Sequence, residues 1–127
     1  MMEMRSSLGK VRGLGSTKTG VHHWIVQRLT AIALVPLSIW FVYSVVALNG
    51  ADHAAFKAWL SGHGNLVLML SFVIALFYHA YLGLQVVVED YVHGEAAKTA
   101  SVIIIKFAAF LSGLSCILAT LRVAFIG

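Results

Sequence analysis

Polar residues crowd into a few short stretches of this chain and leave three long apolar runs between them, giving spans of about 24–48, 66–88 and 99–121. About 20 apolar residues in a helix cross a bilayer core of roughly 30 Å, so each run is long enough to span. Lipid offers no partner to backbone N–H and C=O groups, and a lone apolar run satisfies them only as a helix. The pattern therefore predicts an all-α membrane protein with three transmembrane helices. The segment NGADHAAFKAWLSGHGN, between the first two runs, reads as a short amphipathic helix at the membrane interface, with His53 and His63 solvated. Residues 1–20, rich in Gly, Ser, Thr, Lys and Arg, read as a flexible basic arm ahead of a three-helix anchor domain over 21–127.

Composition agrees with this division. Hydrophobic residues make up 60% of the 127 positions and charged residues 11%, against about 45–50% apolar for a soluble domain. The three runs consume most of the chain and leave no room for a soluble catalytic domain. No P-loop or dinucleotide glycine fingerprint is present either. The chain is therefore not expected to be an enzyme by itself. Nine basic residues outnumber five acidic ones, but they form no single patch for nucleic acid. Arg5, Lys10, Arg12 and Lys18 precede the first span and Arg28 stands at its start, which puts the N-terminus on the cytoplasmic side. The 49–65 loop then lies outside and the 89–98 loop inside. A secretory signal shares the basic start, but its apolar core of about 7–15 residues is shorter than the first run here. Cys116, the one cysteine, lies within the third span and is assigned to packing.

Few polar groups interrupt the spans, and each requires a reason. His79 sits near the middle of the second run, where an unpartnered imidazole costs on the order of a few kcal/mol. A functional ligand and a plain hydrogen bond to a neighbouring helix both satisfy that requirement. Ala75, His79 and Gly83 recur every four residues, so the imidazole is flanked by two nearly bare positions. That gap suits a flat ligand such as a haem, or a closely packed helix. No second histidine lies at membrane depth, so bis-histidine ligation of a haem requires another chain. Asp90 follows on about the same face, roughly 16 Å along the helix, with Tyr91 beside it. A phenol and a carboxylate there suit hydrogen bonding and proton transfer to a lipophilic quinone, although both residue types are also common at helix ends. Pro36 predicts a mild kink in the first span. In the third span, Ala108, Ser112, Ser115 and Ala119 make a small-residue face for helix contact, and Lys106 is expected to snorkel to the inner surface.

The segments HAYLGLQVVVEDYV and GVHHWIVQRLTAIAL, with the three-span layout, resemble the small hydrophobic membrane anchor subunits of succinate dehydrogenase, respiratory complex II. The resemblance implies a non-catalytic anchor that packs with a companion anchor subunit and associates with an iron–sulfur subunit and a flavoprotein subunit in the tricarboxylic acid cycle and respiratory chain. It implies His79 as one axial iron ligand of a shared haem b, and His22 and Arg28 near the haem propionates. It also implies Tyr91, with Asp90 as its neighbour, at the ubiquinone site, and Ala75 and Gly83 as the small residues of the haem cleft. Where some relatives carry an acidic residue beside the first histidine this chain has His23, which leaves the choice between His22 and His23 open. A fumarate reductase anchor, or a cofactor-free membrane assembly or transport protein, is the alternative. The compact chain without a long presequence points to a bacterial inner membrane rather than a mitochondrial one.

Overall fold

A computed structural model describes the backbone of residues 18–127 and the side chains from Gly20 onward. The 1–20 arm therefore lies outside the described residues, apart from positions 18–20, which already belong to a helix. Four helices occur among the described residues: α1 (Lys18–Ala47), α2 (His53–Leu60), α3 (His63–Tyr91) and α4 (Glu95–Phe125). No strand occurs among the described residues. The helices α1, α3 and α4 are long and apolar enough to cross a membrane, so the chain is a multi-pass helical membrane protein. Their 30, 29 and 31 residues exceed the expected spans by about a turn or more at five of the six ends, three residues being nearly a turn, while the C-terminal end of α1 stops one residue short. About 20 residues cover the hydrocarbon, and the surplus turns carry polar residues such as His22, His63, Asp90 and Lys98. Pro36 lies inside α1, which runs through it without interruption.

The spans alternate in direction, and α3 occupies the middle. It packs against both α1 and α4, whereas α1 and α4 do not touch each other. Phe41 of α1 stacks on Phe72 of α3 with ring centroids 4.8 Å apart. On the other flank Gly113 of α4 is buried against Phe77; a Cβ built on this glycine would lie 3.5 Å from the phenylalanine Cβ. The close contact of α4 is thus made by Gly113. The expected small-residue face, Ala108, Ser112, Ser115 and Ala119, is exposed on this chain. Gly113→Ala fits at ordinary contact distance, but Gly113→Leu drives a branched side chain into the Phe77 ring. Overpacking of this kind costs about 1–3 kcal/mol. The leucine variant should lower the thermal midpoint of the detergent-purified protein and the alanine variant should leave it nearly unchanged; equal midpoints for both would refute the contact.

The short helix in the 49–65 segment forms as expected, and it closes one end of the row of spans. Asp52 caps it by accepting the Ala55 N–H at 2.8 Å, and Gly50 turns the preceding chain with φ +84°, a conformation suited to glycine. Leu60 points inward and is 2% exposed. Trp59 stacks on Trp40 of α1 at 5.7 Å, while Asn65 donates to the Trp59 carbonyl at 3.0 Å. The Ser61 hydroxyl lies 2.7 Å from the Ala124 carbonyl, and His53 and Lys57 reach the carbonyls of Gly127 and Ile126. His53 is thus exposed but also bonded to the C-terminal turn, and His63 is exposed at the start of α3. The opposite end of the row holds the start of α1, the end of α3 at Tyr91 and the link 92–94.

Candidate functional site

Midway along α3, His79 turns toward α1. Its Nδ1 lies 3.0 Å from the Thr30 hydroxyl, and that hydroxyl is also 2.9 Å from the Val26 carbonyl and 3.0 Å from the Gln27 carbonyl of its own helix. The other ring nitrogen, Nε2, has no hydrogen-bond partner among the described residues and is not enclosed as a buried orphan. It therefore opens to the surface of the chain. One turn in either direction along α3 stand Ala75 and Gly83. A Cβ built on Gly83 would meet nothing within 4 Å. This is the reverse of Gly113, whose missing side chain admits Phe77. Helix packing among the described residues does not account for the glycine at position 83.

Thr30 is the residue that the polar pattern missed. It lies in the quoted segment GVHHWIVQRLTAIAL, but a threonine in a membrane helix ordinarily bonds its own preceding turn. Only the register of α1 against α3, set by large side chains such as Phe41 and Phe72, shows that it also meets His79.

The two basic candidates on α1 are not in contact with His79. With 3.6 residues per turn, Arg28 sits roughly 160° around the helix from Thr30 and His22 about 80° around it, whereas His23 is within about 20°. In agreement, His22 and Arg28 are exposed and His23 is half-buried. Arg28 stacks over Trp24, its guanidinium carbon 5.3 Å from the ring centroid. Its donors make no hydrogen bond to another described residue, so they are available to an anionic group. Along the axis Arg28 lies only about 3 Å from the level of Thr30, and His22 about 12 Å.

Asp90 and Tyr91 close α3 at the end where α1 begins. Asp90 continues the His79 face within about 20° and Tyr91 departs from it by about 120°; both are exposed, Tyr91 at 75%. Glu89 and Asp90 place negative charge at a helix C-terminus whose last turn has no basic residue, against the helix dipole by about 0.3–1 kcal/mol each. Gln85 donates to Glu89 at 3.0 Å, but Asp90 has no such partner among the described residues. Lys106 lies elsewhere, with Tyr78 and Tyr81, in a groove of about 390 Å³ between α3 and α4 that does not include His79. Among the described residues no three His, Cys, Asp or Glu side chains gather as a metal cage, so His79 stands as a single donor.

Three apolar crossings, a mid-depth histidine with one nitrogen open and a polar end carrying a carboxylate and a phenol define a polytopic helical membrane protein. The profile of the succinate dehydrogenase/fumarate reductase transmembrane subunit family matches residues 2–113, and the chain belongs to that family as a membrane anchor subunit. It is 37% identical over 110 residues to a succinate dehydrogenase hydrophobic membrane anchor subunit of Rickettsia bellii, covering 87% of this chain and 88% of the relative. A Rickettsia conorii protein of the same description is 33% identical, with 82% and 83% covered. A succinate dehydrogenase membrane anchor subunit of Reclinomonas americana is 32% identical, with 71% and 78% covered.

Proposed function

We propose that the chain anchors a succinate:quinone oxidoreductase in a bacterial inner membrane with its N-terminus cytoplasmic, shares one haem b with a companion anchor subunit through His79, and helps to form the ubiquinone site with Tyr91 and Asp90. The observation that carries the haem reading is the state of His79: Nδ1 is engaged by Thr30 while Nε2 opens to the surface beside the uncovered Gly83. A lone imidazole suits a metal that brings most of its ligands with it, as a porphyrin does. A b-type haem supplies a one-electron store. His79 would hold the haem iron from this chain, and the companion anchor would supply another ligand. Arg28, with His22 nearer the membrane surface, would offset the negative charge of the propionates, since a guanidinium pairs well with a carboxylate.

At the end of α3 the Tyr91 phenol would donate to a quinone carbonyl, and Asp90 would hold or pass a proton beside it. The unpaired placement of Asp90 against the helix dipole supports this, because local stability does not explain it. The succinate-oxidising and iron–sulfur chemistry would belong to flavoprotein and iron–sulfur subunits. Family membership favours an anchor over an assembly or transport protein, and the names of the relatives favour succinate oxidation over fumarate reduction. Steady-state rates in both directions decide the latter point.

The direct test is a dithionite-reduced minus oxidised absorption spectrum of the detergent-purified native complex. A b-type band is expected, and a colourless complex apart from flavin and iron–sulfur absorption would overturn the haem reading. Arg28→Leu should reduce haem per flavin several-fold; unchanged haem content in that variant would sink the propionate assignment.

A further inference from the structure

We infer that Thr30 is the positioning residue for His79, fixing the imidazole as the Nδ1–H tautomer so that the Nε2 lone pair is left for iron. This rests on the haem reading above. A threonine hydroxyl carries one proton and can also accept. Three atoms surround it: the carbonyl oxygens of Val26 and Gln27, which only accept, and His79 Nδ1. If the hydroxyl donated to Nδ1, its lone pairs would be left against two carbonyl oxygens at 2.9 and 3.0 Å, a contact between like partial charges. If it donates back to its own helix, its oxygen is free to accept from Nδ1–H, and both the carbonyl and imidazole contacts become attractive. Only the second arrangement leaves no short contact repulsive, the one hydroxyl proton being shared between the Val26 and Gln27 carbonyls.

The consequence for ligation follows from the two-sided chemistry of the ring. A metal-binding imidazole is neutral, and the nitrogen that keeps the proton is selected by the hydrogen bond made on the other side. With the proton held at Nδ1 by Thr30, the lone pair lies at Nε2, the nitrogen that opens outward. The chain Nδ1–H to Thr30 hydroxyl to backbone carbonyl also pulls the ring proton outward and makes the imidazole more basic toward iron. Outer partners of this kind typically change metal affinity about 10- to 100-fold when removed. They also set ring orientation: without the bond, rotation about the side-chain torsions is limited only by packing.

The test compares the full native complex with complexes carrying Thr30→Val, which keeps the branched shape and loses the hydroxyl, and Thr30→Ser, which keeps the hydroxyl. Haem per flavin and the haem midpoint potential are read in each, with co-purifying flavin as the separate measure of assembly. Thr30→Val is expected to lose haem more readily and to raise the midpoint potential, since a less basic imidazole favours ferric iron less. A tenfold loss of that preference corresponds to about 59 mV for a one-electron couple. Thr30→Ser should restore both values toward the native ones. Native haem content and potential in Thr30→Val would overturn the role of Thr30 while leaving the haem reading intact. No haem in the unaltered complex would overturn both. If Thr30→Val fails to assemble, Thr30→Ala removes the same hydroxyl without added bulk and is read by the same two values.

Discussion

Replacing His79 with leucine should abolish or strongly alter the b-type band of the purified complex, with haem per flavin falling more than about tenfold. Leucine fills similar space in an apolar helix but has no lone pair, so packing is largely retained and coordination is removed. Loss of an outer partner alone costs about 10- to 100-fold in metal affinity, and loss of the donor itself exceeds this. The polar cost of His79 disappears at the same time, so α3 inserts at least as well as before. Retention of flavin in the variant complex separates loss of ligand from loss of assembly. An unchanged band and unchanged potential would return His79 to a hydrogen-bonding role against Thr30.

The second large effect is expected at the other end of α3. Tyr91→Phe removes one hydroxyl from a side chain that is 75% exposed on this chain, so the helix and its contacts should be unaffected. Removing a proton donor aimed at a reacting oxygen lowers rates by about 10²-fold at the lower end of the usual range. Succinate:quinone turnover should fall by roughly that factor. Reduction of a water-soluble dye that takes electrons before the quinone site should continue at the native rate. Equal losses in both assays would mean that the variant damages assembly, and no loss in either would remove Tyr91 from the quinone reading.

Most of the architecture was legible in the sequence because lipid leaves so few choices. Long apolar runs have to be helices, and the amphipathic segment between the first two folds as His53–Leu60. The helix ends were less legible, since interfacial residues such as His22, Asp90 and Lys98 continue the backbone pattern after hydropathy has fallen. Small residues predicted helix contact without saying where: Gly113 makes the contact on Phe77 while Ser112 and Ser115 face outward. His79 was conspicuous as a polar group at mid-depth. Its partner was not, because Thr30 is an ordinary residue in a membrane helix and acquires meaning only through the packing of α1 on α3. How Arg28 on α1 stands relative to His79 on α3 is likewise a relation that sequence spacing on two different helices does not contain.

The side-by-side arrangement of the spans has a consequence for how the chain is made. With α1 and α4 each resting on α3 and not on each other, a newly inserted copy presents the open nitrogen of His79 to acyl chains until another chain covers it. That exposure costs free energy in hydrocarbon, and the cost vanishes on assembly. Under the proposed haem reading, a copy without its companion would be the least securely inserted form of the protein, and supply of the companion anchor and porphyrin would extend its lifetime in the bilayer. On that reading a single uncovered imidazole would tie the ratio of subunits in the membrane to assembly.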